Sequence, residues 1–296
     1  MSDLPIVDMT WLAAVRSCHV AGLGVGLGSA LLTHWRYAAD APAWRRDLER
    51  LTHAGLCISL LSLLLWWPLL TRSMTGADSL ADALPDLSVV LLQTHVGATL
   101  SWRFALLVLA WLLWWLMTCR WQRSALGLIA VGLMALVASM TPLLGHGAAV
   151  PWPTRTAMML HVLAGLLWLG CLPGLLAAYR RCRGDLRPLL LRFSTFATAC
   201  VVLLAAAGLL QSLVLIGDWS ALFGSTYGHL VILKAGAFVA LLGIGALNRW
   251  LWTPRSDAGA PQSLGISLAI EIAVGMSVLV VAALVVGQPP PGHWEY

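Results

Sequence analysis

Eight apolar stretches, joined by links that alternate between basic and acidic, leave this chain little to fold into except a bundle of membrane-crossing helices. The stretches fall at 9–33, 51–70, 99–119, 125–144, 156–179, 193–216, 230–251 and 264–287. Each is close to the roughly 20 residues that an α-helix needs to cross a bilayer core of about 30 Å. With 59% hydrophobic and 10% charged residues among 296, no sizeable soluble domain remains to be built. The expectation is one all-α integral membrane domain of eight transmembrane helices.

Charge orients that bundle. Links after the odd-numbered stretches carry Arg36, Arg45, Arg46 and Arg50, then Arg120 and Arg123, then Arg180, Arg181, Arg183 and Arg187, then Arg249 and Arg255. The opposite links carry Asp78, Asp82 and Asp86, then residues 146–155, then Asp218, and the terminal segments bring Asp3, Asp8 and Glu295. The positive-inside rule makes the arginine-bearing side cytoplasmic and both termini periplasmic. The net charge of +5 and pI near 9.1 thus speak of topology and anionic lipid, not of nucleic acid. Residues 1–10 have no basic n-region, so the first stretch is expected to serve as an uncleaved address. The six cysteines show no Cys-x-x-Cys spacing and none falls in an outward link, which argues against a disulfide framework.

An internal repeat subdivides the chain. His19-Val20 and His161-Val162 are followed, in the same register, by Leu27-Gly28 and Leu169-Gly170, and then by Arg50 and Arg192 at equal separations. Gly97 precedes Arg103 by six positions, as Gly228 precedes Lys234. Two four-helix halves are expected, 1–150 and 151–296. Because four is even, they run parallel about an axis along the membrane normal.

Ionisable side chains inside a span need partners or a water-filled cavity, so they mark where chemistry is placed. His19 and His161 lie about 9–12 Å below the outer boundary by helical rise, and His95, His146, His229 and His293 lie near the outer face. His34 and His53, beside arginines at the cytoplasmic boundary, read as interfacial and solvated. Neutral imidazole and thioether suit copper, whereas the scarcity of carboxylates disfavours calcium or magnesium. Met158 stands one turn before His161 and shares its face, with Met140 and Met159 nearby. Gly22 and Gly26, on the His19 side, permit close helix approach. Arg103 and Lys234 read either as snorkelling or as gating groups. Glu271, about 10 Å above the cytoplasmic boundary, reads as hydrogen-bonded to a neighbour or as an inner cation or proton step, with Gln211 a polar partner further out.

The run His161-Val-Leu-Ala-Gly-Leu-Leu-Trp168-Leu-Gly170, then Arg192-Phe193-Ser194, Tyr227-Gly228 with Lys234, and Asn248-Arg249 resembles the signature of the CopD copper resistance membrane proteins. The resemblance implies a bacterial inner-membrane protein that handles periplasmic copper beside a small CopC-like copper-binding partner. It also implies histidine at positions matching His19, His146 in Gly145-His146-Gly147-Ala148, and His161. Cys171 departs from the pattern, which has a glycine there, and either adds a sulfur ligand or fills space. The resulting expectation is copper transport through a periplasm-facing His/Met site of His19, His146 and His161, with His95, His229 and Met158 in support. No ATP-binding loop or phosphorylatable aspartate motif accompanies it, so an ATP-driven pump is not expected. The alternative is a b-type haem redox protein with His19 and His161 as axial ligands.

Overall fold

The computed structural model describes residues 6–121, 124–145, 150–182, 184–216, 219–255, 262–288 and 291. His146 and His293 therefore lie outside the described residues. Eight long helices dominate: α1 (Ile6–Thr33), α2 (Pro42–Thr75), α3 (His95–Leu116), α4 (Ser124–Ser139), α5 (Trp152–Arg181), α6 (Arg187–Ile216), α7 (Thr226–Leu247) and α8 (Gln262–Val286). Each belongs to a segment long and apolar enough to cross a membrane, and no strand occurs among the described residues. This is a multi-pass α-helical membrane protein.

The helices start and stop where local chemistry directs. Pro42 opens α2, where its missing N–H costs nothing. Gly76, with φ 70°, closes the same helix in the left-handed conformation, its N–H bonded to Arg72 O. Thr94 and Ser225 cap α3 and α7 in the same way, each hydroxyl accepting from the backbone N–H three residues on, Gly97 and Gly228, at 3.0 Å. Both helices end in a π turn, at Met117–Trp121 and Asn248–Trp252. Helix α2 is longer than its apolar stretch, so Arg45, Arg46 and Arg50 belong to its first turns and not to a free link. Arg45 pairs with Glu49 at 3.1 Å, and Asp47 accepts from Arg181 of α5 at 2.7 Å.

Glycine decides how close the helices come. Gly22 and Gly26 of α1 lie against Gly55 of α2, and a methyl on Gly22 would stand 2.8 Å from Gly55 O. Gly28 meets Gly170 of α5 backbone to backbone, and a Cβ on Gly170 would overlap Gly24 O. Helix α1 thus holds α2 on one side and α5 on another, and it also touches α4 and α8. One buried core joins α1 to α4 around Leu23, Leu56, Leu107, Trp114 and Met134. A second gathers Leu32, Trp44, Leu48, Trp168 and Leu172 with α6 and α8. Within that second core Trp44 ties α2 to α5 by donating from Nε1 to Gly174 O at 2.7 Å. Large apolar side chains such as Trp102, Leu213 and Val239 point outward, as they must in a protein whose solvent is lipid.

Candidate functional site: two buried histidine–cation couples

His19 is fully buried between α2 and α3. The glycines of α1 bring α2 so near that the Ser59 carbonyl, already inside its own helix, offers its second lone pair to the ring. Nδ1 of His19 lies 3.0 Å from Ser59 O and 2.9 Å from Ser59 Oγ. Nε2 lies 2.7 Å from Nη2 of Arg103, whose Nη1 donates to Thr141 Oγ1 at 3.1 Å. A guanidinium only donates, so Nε2 must carry the lone pair and Nδ1 the proton. The tautomer follows from the partners. The Trp66 ring stands edge-on to His19 at 5.9 Å, and Arg16 lies over that indole at 5.4 Å.

The second half repeats the arrangement. Nδ1 of His161 lies 2.9 Å from Leu204 O of α6, and Nε2 lies 3.4 Å from Lys234 Nζ of α7. Lysine, like arginine, has no acceptor, so His161 too donates through Nδ1 and accepts at Nε2. Gly208 makes room: a methyl there would sit 3.2 Å from His161 Cε1, with Gln211 Nε2 at 3.9 Å. In α1–α3 and again in α5–α7, then, the first helix supplies a neutral histidine, the second a carbonyl and the third a cation. No ion pair among the described residues involves Arg103 or Lys234.

These positions refine the sequence expectations. Arg103 does not snorkel; its side chain is completely buried and turned inward, with Nε lacking any partner. His95 and His229 are exposed in the first turns of α3 and α7, and Nε2 of His229 donates to Phe223 O at 2.7 Å. Met158 packs against the small core of Val150, Leu215, Ile216 and Tyr227. Glu271 accepts from Asn248 Nδ2 at 2.9 Å, joining α8 to the π turn after α7. Cys171 is buried and its thiol donates weakly to Gly28 O at 3.6 Å, so it fills space at the α1–α5 contact. Among the described residues, no three His, Cys, Asp or Glu side chains gather into a metal-holding group. Sequence reasoning missed Ser59, Leu204 and Thr141 as partners, and Arg16, although an arginine within the first apolar run was a visible signal.

The fold and these couples define an α-helical membrane protein that keeps two neutral imidazoles, each facing a positive charge, inside its spans. The chain belongs to the copper resistance protein D family: the family model described as copper resistance protein D-like, N-terminal domain, matches residues 1–152, and that for copper resistance protein D matches 187–285. It is 26% identical over 250 residues to copper resistance protein D of Pseudomonas syringae pv. tomato, covering 76% of this chain and 77% of that one. It is 30% identical over 154 residues to the copper transport protein CutJ of Bacillus subtilis (strain 168), covering 50% of this chain and 28% of that protein. The chain therefore spans little more than a quarter of the Bacillus relative. No solved structure matches it.

Proposed function

We propose that this protein carries copper across the bacterial inner membrane, receiving it at the periplasmic side from a CopC-like donor and passing it inward past His19 and His161, with His146, His95, His229 and Met158 in support. The observation that carries this reading is the state of the two rings. Each is neutral, fixed through Nδ1 by a backbone carbonyl, and presents Nε2 to a cation. A ligand histidine needs that anchoring of its far nitrogen. Each lone pair already holds a single positive charge, so Cu(I) can replace Arg103 or Lys234 there without changing the local charge balance at the ring. The positive lining of Arg16, Arg103 and Lys234 opposes a free divalent ion and favours hand-over from a docked donor. The halves 1–150 and 151–296 act as repeats, each contributing one such couple.

Uptake of radioactive copper into proteoliposomes tests the reading. His19→Ala and His161→Ala should each lower it at least tenfold in protein that still inserts, since changes beside a metal ligand alone cost 10–100-fold. Unchanged uptake in both variants would overturn the copper route. A Soret band lost in the same variants would put haem in its place. The proposed orientation has its own check: reporter fusions after Gly184 and Arg255 should read cytoplasmic and one after Asp82 periplasmic. The inverse pattern would turn the two couples toward the cytoplasm.

A further inference from the structure

At the arginine-rich end, α1, α3 and α4 converge on a point that the outer couples do not reach. His34, the residue after α1, has its Nε2 buried and without a hydrogen-bond partner. Met117, at the head of the π turn after α3, is buried beside it. Gly127 of α4 faces both: a Cβ there would stand 2.5 Å from Met117 Sδ and 2.9 Å from His34 Nε2. The two donor atoms can thus be no further apart than the sum of those distances, and Gly127, which faces both, has no side chain. Nitrogen and sulfur ligands sit about 2.0–2.3 Å from a first-row metal ion, so one ion bridging the pair needs only a small adjustment.

We propose that His34 Nε2 and Met117 Sδ form a second binding site for a soft monovalent metal ion, Cu(I), at the arginine-rich end of the bundle. Imidazole and thioether together select Cu(I) over hard divalent ions. The buried, unpartnered Nε2 is otherwise a rare arrangement, because buried polar atoms almost always find partners. Burial, with Arg45 next, holds His34 below its ordinary pKa, which keeps the ring unprotonated and its lone pair available at neutral pH. Arg45, whose charge acts on His34, is itself paired with Glu49 at 3.1 Å. His34 lies 15 residues after His19, just past the end of α1 and about 22 Å along its axis, so this is a separate station at the other end of α1. His34 is half-buried just past the end of α1, with Nε2 turned into the bundle.

The proposal rests on copper being the cargo, and its test separates the two claims. Full-length protein in detergent is titrated with Ag(I), a redox-stable probe for Cu(I), and bound metal is counted after equilibrium dialysis. His34→Ala and Met117→Leu should each remove one equivalent or weaken it at least tenfold; Gly127→Ala, which plugs the gap, should do the same. Met117→Leu keeps bulk and apolarity, so its loss of silver is not a folding defect. Unchanged stoichiometry and affinity in Met117→Leu and His34→Ala would overturn this site. Loss confined to His19→Ala and His161→Ala would overturn it while sustaining the outer route. If silver is lost in the His34 and Met117 variants although His19→Ala and His161→Ala transport normally, this site stands and the outer route falls.

Discussion

His19→Leu should lower the stability of the bundle by about 2–4 kcal/mol, because it strands the buried guanidinium of Arg103. Arg103 is 0% exposed and has two described partners, His19 Nε2 and Thr141 Oγ1. Removing the imidazole leaves a charge that water cannot reach. His161→Leu should cost less, since Lys234 is only part-buried and its contact is longer, 3.4 Å against 2.7 Å. Thermal unfolding in detergent measures both. Adding Arg103→Met to His19→Leu should recover most of the loss, because an apolar pair of similar volume leaves no buried charge stranded. If the double variant is as unstable as the sum of its parts, the two residues are not coupled.

The glycine contact between α1 and α5 predicts a second large effect. Gly170→Ala and Gly28→Ala each place a methyl where the partner helix has backbone, at Gly24 O for the first and at the Gly170–Cys171 peptide for the second. Overpacking typically costs about 1–3 kcal/mol, and more where the neighbour is main chain that cannot turn aside. Gly132→Ala and Gly243→Ala, whose new methyls meet nothing within 4 Å, should instead gain about 0.5–1 kcal/mol from better helix propensity. Opposite signs for one chemical change, read as melting temperatures in one detergent, would establish the contact. Equal shifts would refute it.

Helix number and helix class were legible, because bilayer thickness imposes a length that composition cannot disguise. Boundaries were less so. Helix α2 continues through Arg45, Arg46 and Arg50, since hydropathy reports the bilayer and not the end of hydrogen bonding. The spacing from Gly97 to Arg103 and from Gly228 to Lys234 marked the right cations, yet what they bind depends on helix rotation, which an almost uniformly apolar sequence does not encode. Carbonyl acceptors such as those of Ser59 and Leu204 leave no trace in residue type. Gly208 could not be told from the other glycines, and nothing in the residue type of Met117 marks His34 as its neighbour.

The crossing of α1 and α5 at Gly28 and Gly170 has a mechanical consequence. The contact between bare backbones spans one turn, Gly24 to Gly28, and is the pivot for any tilt of α1 on α5. His19 lies nine residues from Gly28 along α1 and His34, just past the helix end, six the other way, lever arms of about 13 and 9 Å. A tilt of about 10° at the pivot would carry His19 roughly 2 Å one way and His34 about 1.6 Å the other. A rigid tilt about this pivot therefore opens one end of the helix only as it closes the other.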